Sequence, residues 1–337
     1  MPRRLRVAVA SGWLLALAGC GSSHSTAKDG GSDARSPGGD AREDSSADAG
    51  PPPHGTIVEF PLPALLIGPD GITTGSDGAL WFTDASGVGR MTIAGAVTHF
   101  DVPTGGAAGG ITAGPDGNLW FTETGHAAIA RMTPAGAIIE FPLANAAAQP
   151  LEITVGPDGN LWFSESAEPG IGRITTAGEI TDFPLTDGTV PVGIAAGPDG
   201  NLWFAGPLAV GHVTPQLVGP ALMAPPSGDP FLIATGPDGN LWLTELAANQ
   251  IARVTPAGDF TTFPLPNADS RPLGITAGPD RNLWFAEARG ARIGRITPAG
   301  AITEYPTPPH PSHITVGPDG NLWFTLVDND SIAYIVP

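Results

Sequence analysis

Short segments in which apolar and polar residues alternate recur along most of the chain, separated by Gly, Pro and Asp. One unit of this pattern reads GITAGPD, NLWFTE, AIARMTP and GAIIEFPL between residues 110 and 143. Alternation with a period of two and β-branched content favour strands, and the PDG and PAG sequences favour tight turns. No stretch has helical periodicity long enough to compete, so each unit predicts four short strands, named A to D in order.

The unit repeats, and a tryptophan in its strand B marks each copy. A period of about 40 residues with four strands is that of a β-propeller blade. The pattern therefore predicts an all-β fold, a seven-bladed β-propeller with four antiparallel strands per blade. The tryptophans recur every 39 to 42 residues, at Trp81, Trp120, Trp162, Trp203, Trp242, Trp284 and Trp323.

The two ends of the repeat region complement each other. The chain ends after a third strand, Ser331 to Val336, so the seventh unit lacks its strand D. The segment GTIVEFPLP, Gly55 to Pro63, has the strand D pattern but precedes the first strand A. We expect these two segments to pair and close the ring, which leaves no open sheet edge there.

The repeated string GPDGNLWFTE, which ends at Glu123 in the second unit, predicts architecture. Its Gly and Asp form the A–B turn, and Leu, Trp and Phe fill the blade faces. An acid ends the string in five units, and the same five have an arginine in strand C. This joint occurrence predicts an ion pair between strands B and C, with a ring of acidic ligands as the alternative. The acids are Asp84, Glu123, Glu165, Glu245 and Glu287, and the arginines are Arg90, Arg131, Arg173, Arg253 and Arg295.

The first 54 residues lack the repeat and predict export. A basic start, an apolar run from Val7 to Ala18 and the sequence LAGC indicate a lipoprotein signal peptide over residues 1–20, with Cys20 lipidated. The apolar run is too short to span a bilayer. Residues 21–54 are rich in Gly, Ser, Asp and Pro and predict a disordered low-complexity tether before the propeller over residues 55–337. Gly and Ser after the cysteine, rather than an acid, favour an outer-membrane over an inner-membrane lipoprotein of the cell envelope.

The charge of the chain limits its partners. A net charge of −18 disfavours binding to nucleic acid, because phosphate contacts need a basic surface. We expect a monomer that meets the membrane only through its lipid anchor.

Antiparallel strand order separates the loops into two faces. The A–B and C–D turns, which are short and uniform, share one face, here called the constant face. The B–C and D–A loops vary and share the other, here called the variable face, where recognition is expected. Its centre, the mouth, is mostly apolar, which suits a small molecule, cyclic peptide or glycan, with a packed core as the alternative. The predicted mouth residues are Asp70, Gly109, Leu151, Val192, Phe231, Leu273 and Ser312, with Glu152, Leu232 and His313 beside them.

Polar residues on this face concentrate in the seventh blade and its neighbour. TPPHPSHI supplies His310 and His313, LVDNDS supplies Asp328 and Asp330, and Asp70 belongs to the first blade. Such imidazoles and carboxylates could bind a divalent cation or act as a base and its orienting partner, and solvated loop residues are the alternative. No nucleophile elbow, phosphate-binding glycine loop or zinc-ligand spacing occurs in the sequence.

Repeated strings of this chain resemble those of the virginiamycin B lyases, or streptogramin B lyases, over about residues 55–337. They are ITVGPDGNLWF, IGRITPAG and segments similar to ITEFPLP. The resemblance implies a seven-bladed propeller that opens cyclic depsipeptide antibiotics by elimination at the ester. It also implies a histidine that takes the proton and a Mg2+ ion, held by acids, that polarises the scissile group.

The family's site residues fall on changed positions in this chain. One family histidine corresponds to Leu273, the general base to Ser312 and one metal-binding acid to His310. The second metal-binding acid corresponds to Val327 or, with the longer loop, to Asp328. His313 lies next to the base position, but strand alternation would aim it differently.

Three functions follow from these residues. A diverged Mg2+-dependent carbon–oxygen lyase would use His310 and Asp328 for the metal and His313 as base. A binding module would use the mouth around Phe231 without chemistry, and a scaffold would present the variable face to a protein partner. Because each family catalytic position that can be placed has changed, the sequence favours the binding module.

Overall fold

The computed structural model describes residues 52–106, 108–185, 188–215, 221–225 and 229–337. The predicted signal peptide, Cys20 and nearly all of the predicted tether lie outside these residues. The unit that contains the repeats comprises His54–Pro337. It forms seven four-stranded antiparallel sheets, which confirms the predicted seven-bladed propeller.

The strands follow the predicted A, B, C, D order in each unit because each turn sequence recurs at the same place. Strand β1 spans Ile57–Pro61. Blade 1 contains β2 (Ile72–Thr74), β3 (Leu80–Thr83), β4 (Gly87–Met91) and β5 (Val97–Asp101). Blade 2 contains β6 (Ala108–Ala113), β7 (Leu119–Glu123), β8 (Ala128–Met132) and β9 (Ile138–Pro142). Blade 3 contains β10 (Pro150–Val155), β11 (Leu161–Glu165), β12 (Gly170–Ile174) and β13 (Ile180–Pro184).

The remaining blades repeat this order. Blade 4 contains β14 (Gly193–Ala196), β15 (Leu202–Gly206), β16 (Ala209–Val213) and β17 (Ala221–Met223). Blade 5 contains β18 (Pro230–Thr235), β19 (Leu241–Glu245), β20 (Gln250–Val254) and β21 (Phe260–Pro264). Blade 6 contains β22 (Pro272–Ala277), β23 (Leu283–Glu287), β24 (Arg292–Ile296) and β25 (Ile302–Pro306). Blade 7 contains β26 (Pro311–Val316), β27 (Leu322–Leu326), a single 3-10 turn (Val327–Asn329) and β28 (Ser331–Ile335).

The ring closes as the sequence predicts, through β1 as the fourth strand of blade 7. It pairs antiparallel with β28 from Ile57 opposite Ile335 to Pro61 opposite Ser331. The N–H of Gly55 also donates to the carbonyl of Val336 at 2.9 Å. Both ends of the propeller therefore lie in one sheet, and the strand D position of blade 7 is filled.

Each repeated tryptophan is fully buried and bonded to the A–B turn. Its indole N–H donates to the aspartate four residues earlier, at 2.8 to 3.1 Å in all seven blades. Burial by itself would raise the pKa of Asp238, but hydrogen bonds from Asn240 and Trp242 lower it below its ordinary value. The Asp of the repeated string therefore does more than shape a turn, since it satisfies the one polar atom of the buried indole.

The predicted ion pair between the strand B acid and the strand C arginine is wrong. Strand register places Arg131 opposite Trp120, whereas Glu123 lies opposite Ala128 at the other end of the hairpin. The five arginines instead lie 5.6 to 5.9 Å from the centres of the tryptophan rings. Two of them also reach the turn aspartate at 2.7 Å, namely Arg90 and Arg295. Acid and arginine thus recur in the same blades for two separate structural roles.

Within the described ranges, no helix is long and apolar enough to cross a membrane.

Candidate functional site

The first strands of the blades surround a central channel, and bulges near their starts set which side chains enter it. The pairing of strands A and B shifts register at this point in blades 2, 3, 5, 6 and 7. In blade 7 the shift lies between Pro311 and Ile314. A bulge interrupts simple alternation, so neighbouring residues can turn toward the same group.

A cavity of about 250 Å3 occupies the channel. Strand A of six blades contributes an isoleucine to the wall, but most of the wall surface that is open to the cavity is polar. Glu152 and His313 are its charged members. The wall comprises Gly71, Ile72, Ile111, Glu152, Thr154, Ile194, Leu232, Ile233, Gly274, Ile275, Thr276, His313 and Ile314.

The predicted mouth residues lie on or beside this wall. Glu152, Leu232 and His313, which were placed beside the mouth, line the cavity. Asp70, Phe231, Leu273 and Ser312 do not line it, and in each of their blades the next residue along the chain does. The bulge explains this offset of one residue between predicted and observed lining residues, because the prediction assumed regular alternation along strand A. Phe231 instead packs against the apolar core of its part of the ring.

His313 joins opposite sides of the channel. Its Nδ1 lies 2.9 Å from Asp70 Oδ1 in the neighbouring blade 1, and its Nε2 lies 3.1 Å from Glu152 Oε1 in blade 3. Glu152 is 161 residues away in the sequence and three blades away around the ring. Both ring nitrogens therefore have a carboxylate partner.

The two carboxylates hold a proton on this imidazole. Burial by itself would lower the pKa of His313, but the charges and hydrogen bonds of Asp70 and Glu152 raise it well above its ordinary value. Burial would likewise raise the pKa of Asp70, and the charge and hydrogen bond of His313 lower it. Both shifts favour the charged forms of His313 and Asp70, and so favour an ion pair between them.

Ser312 belongs to the same network but does not form a catalytic triad. Its hydroxyl donates to Asp70 Oδ1 at 3.2 Å and lies 3.3 Å from His313 Nδ1. Serine and aspartate thus approach the same ring nitrogen, while the other nitrogen is bonded to Glu152. A triad needs the nucleophile and the orienting acid on different nitrogens, so this arrangement does not activate the Ser312 hydroxyl.

Glycines make room for the imidazole to cross the channel. At the strand position of His313, four of the other blades have glycine, and the remaining two have Glu152 and Leu232. A Cβ atom on Gly274 would lie 2.5 Å from the Ser312 carbonyl oxygen, so that blade 7 packs against blade 6 only with glycine there. The four glycines are Gly71, Gly110, Gly193 and Gly274.

The predicted metal ligands lie together at the edge of the variable face. His310 Nδ1 is 2.7 Å from Asp328 Oδ2, and the Val327 N–H donates to the His310 carbonyl at 3.1 Å. Within the described part of the chain, no group of three or more His, Cys, Asp or Glu side chains is arranged to hold a metal ion. Mg2+ prefers an octahedron of oxygens, and one imidazole bonded to one carboxylate does not provide it. These residues do not fit the magnesium ion that the family resemblance implies.

The acids at the ends of strands B form a buried set near the variable face. Burial, together with the nearby Asp182 and Glu168, raises the pKa of Glu165 to about 7. Burial likewise raises the pKa of Glu287 to about 7. A hydrogen bond from Ser270 opposes this rise, and the charge of Glu304 adds to it. These carboxyls lie in separate blades away from the channel wall, so they do not form the ring of ligands considered from the sequence.

Comparison with known proteins places this site in a family. The model of the virginiamycin B lyase family matches residues 51–218 and 190–337. A streptogramin B lyase structure has a TM-score of 0.79 and 32% identity, and the match covers 83% of this chain and 97% of that chain. The virginiamycin B lyase of Staphylococcus aureus has a TM-score of 0.79 and 34% identity, over 84% of this chain and 99% of that chain. Its catalytically inactive histidine-to-alanine variant, with quinupristin, matches equally well.

More distant structures share only the fold. The extracellular domain of a protein described as a hybrid two-component system, from B. thetaiotaomicron, has a TM-score of 0.67 and 16% identity. That match covers 84% of this chain and 42% of that chain. No curated protein sequence matches the chain. On the family match and the lyase structures together, the chain belongs to the virginiamycin B lyase family.

Proposed function

We propose that this propeller binds a small, partly apolar molecule in the channel cavity and has lost the metal-dependent elimination of its family. One observation carries the proposal: both ring nitrogens of His313 are bonded to carboxylates, Asp70 and Glu152. A general base needs a free nitrogen with a pKa near the working pH. His313 has neither, and Ser312 at the family's base position has no basic atom.

The same network supports a binding role. The three side chains of this charged cluster are only partly buried, and solvent screens the attraction between their charges, so the cluster contributes little net stability. Perturbed ionisable groups inside a cavity are typical of ligand sites. The isoleucines of the wall supply the apolar contact, and the carboxylate of Glu152 supplies a polar group that fixes the orientation of a ligand.

The experiment compares turnover with binding on the full chain. Quinupristin and Mg2+ are incubated with the protein, with and without chelator, beside the S. aureus lyase as a working control. Products are separated by chromatography, because elimination leaves the mass of the ring unchanged whereas hydrolysis adds water. We expect no product, and chelator-sensitive ring opening would contradict the proposal.

Binding is followed in parallel on the His313 ring. A neutral probe, 4-phenyl-1-butanol, is titrated while the histidine side-chain NMR signals are recorded. We expect the His313 signals to move on binding and, without the probe, to titrate well above the ordinary range of a histidine. An unchanged His313 signal at millimolar probe, or titration of the free ring near pH 6.5, would contradict the proposal.

A scaffold for a protein partner receives less support from the surface. The exposed large apolar side chains of the described residues lie on several different blades rather than in one broad patch. They are Leu65, Ile67, Ile93, Ile139, Leu208 and Leu222.

The proposal includes export and a lipid anchor at Cys20, which rest on the sequence of the leader. In a bacterial host, labelled palmitate should enter the protein with Cys20, and the Cys20→Ser variant should lose both the label and the membrane fraction. Equal labelling of the two proteins would contradict the anchor.

A further inference from the structure

Positive charge is distributed very unevenly over the propeller. Residues 52–337 contain no lysine and nine arginines, five of which are those stacked on the repeated tryptophans. The other four all lie in blade 6 or in the loop that leads into it. They are Arg271, Arg281, Arg289 and Arg292.

Two of these four share the variable face. Arg271 ends the D–A loop before β22, and Arg289 lies in the B–C loop after β23. The loops bond directly to each other, because the N–H of Ala288 donates to the Arg271 carbonyl and the N–H of Arg289 to the Ser270 carbonyl, both at 3.1 Å. Arg281 lies in the A–B turn on the constant face, and Arg292 bonds to the Gly290 carbonyl at 2.8 Å.

The backbone around Arg271 is held in an unusual conformation. Arg271 has a φ of 54°, in the left-handed region that side chains other than glycine rarely adopt. The Asn249 side-chain oxygen accepts the N–H groups of Ser270 at 2.6 Å and of Arg271 at 3.3 Å, which fixes this geometry. Strain that the surroundings hold in place is commonest at ligand sites.

The two guanidinium groups influence each other. Burial lowers the pKa of Arg271, and the positive charge of Arg289 lowers it further. The charges of Asp269 and Asp229 oppose this lowering. Both oxygens of Asp269 lie within 3.1 Å of one Arg289 nitrogen. The Arg289 side chain remains 56% exposed, so it can accept a second anionic partner.

The arginines also lie close to the channel. Arg271 precedes Gly274, a member of the cavity wall, by three residues. Even at the full strand rise of about 3.3 Å per residue, their backbones would be separated by at most about 10 Å, and the bulge between Pro272 and Ile275 shortens this path. A ligand of moderate size can therefore reach both places.

We infer that Arg271 and Arg289 form an anion subsite that binds the oxyanion group of a ligand, a carboxylate or a phosphate, whose apolar part enters the channel. The inference rests on the proposed function for the apolar part only. The contact between the arginines and the oxyanion stands independently.

The test uses the full chain and two pairs of probes. Inorganic phosphate and acetate are titrated while the arginine Nε–H signals are recorded by NMR. Affinities are then measured by calorimetry for 4-phenylbutanoate and for 4-phenyl-1-butanol, which differ in the charged end. The variants are Arg289→Gln and, as a matched control in the same blade on the opposite face, Arg281→Gln.

We expect 4-phenylbutanoate to bind about tenfold more tightly than the alcohol, the effect of one charge-assisted contact. Arg289→Gln should remove this difference, and Arg281→Gln should keep it. Comparison of phosphate with acetate shows which oxyanion moves the Arg271 and Arg289 signals more.

The outcomes separate the inference from the proposed function. Equal affinity for acid and alcohol, with no movement of the arginine signals, would overturn the anion subsite and leave binding in the channel intact. Movement of these signals by phosphate or acetate, without binding of the alcohol, would support the subsite and count against the channel. An equal loss in Arg281→Gln would also overturn the subsite.

Discussion

The two faces of the propeller differ in how often their chemistry is repeated. On the constant face, the bond from tryptophan to the turn aspartate occurs in all seven blades. On the variable face, the Asp70–His313–Glu152 network and the pair of Arg271 and Arg289 occur once each. An interaction that recurs in all seven blades is part of the blade structure, and it therefore indicates a role in folding. An interaction that only one or two blades make is not needed to form a blade, so residues in such interactions are the candidates for function.

Removal of a repeated tryptophan should have the largest effect on stability. Trp242 is fully buried between blades, so Trp242→Ala should lower the free energy of unfolding by about 3 to 5 kcal/mol. Urea unfolding measures this value, with the exposed Leu208→Ala as the control, expected to change it by less than about 0.5 kcal/mol. A similar loss of unfolding free energy in both variants would contradict the structural role assigned to the repeated tryptophan.

Loss of the aspartate partner should have a smaller effect. Asp238→Ala leaves the Trp242 indole N–H without its acceptor at 3.0 Å, and we expect a loss of about 1 to 3 kcal/mol at pH 7. The pKa of Asp238 is lowered in the fold, so its stabilisation is present above its ordinary pKa and fades as pH falls through the lowered value. Stability measured from pH 7 to pH 2, with the exposed Asp259→Ala as control, checks both points. A pH-independent effect would contradict the ionised role of the aspartate.

A substitution near the variable face should increase stability instead. The pKa of Glu287 is raised to about 7, so the folded state holds a proton there that the unfolded state releases above pH 4.5. The unfolded chain binds fewer protons in this range, and stability therefore falls as pH rises from about 4.5 to 7. Glu287→Gln should gain about 1 kcal/mol at pH 8 and nearly nothing at pH 4.5, as melting curves would show. The exposed Glu179→Gln should gain at neither pH, and a gain that is equal at both would refute this account.

The smallest effect concerns the one A–B turn that lacks the glycine. Six blades have glycine at the turn position where blade 6 has Arg281, whose φ is 60°. Arg281→Gly relieves backbone strain but adds entropy to the unfolded chain, so we expect a net gain below about 1 kcal/mol. Thermal unfolding measures it, and a loss above that size would assign Arg281 a structural contact of its own.

The repeat made most of the fold predictable from the sequence. A tryptophan in each of seven units, with GPDG in five of the A–B turns and PAG in three of the C–D turns, fixes the strand order, and the unpaired strand D pattern after Gly55 identifies the closing strand. The Trp–Asp bond was missed, although the constant spacing of four residues between them is visible in each unit. The pairing of acid and arginine was wrong because joint occurrence in a blade does not specify the strand register.

The site was predictable only as a neighbourhood. Strand order places Asp70, Glu152, Ser312 and His313 around the mouth, but the contact from His313 to Glu152 crosses the ring and leaves no local signal. A clue was present in the glycines at the position of His313, which leave few side chains at that level of the channel. The bulge that brings Ser312 and His313 to one carboxylate depends on the packing of the blades, which no single segment of sequence encodes.

The closing strand also determines how the propeller would bear a mechanical load. A pull through the chain ahead of His54 enters the fold at β1, whose five residue pairs with β28 hold the ring shut. Tension would therefore separate blade 7 first, and β26, which carries His313, belongs to that sheet. The strand that completes the ring is for this reason also the strand on which force from the N-terminal side acts first.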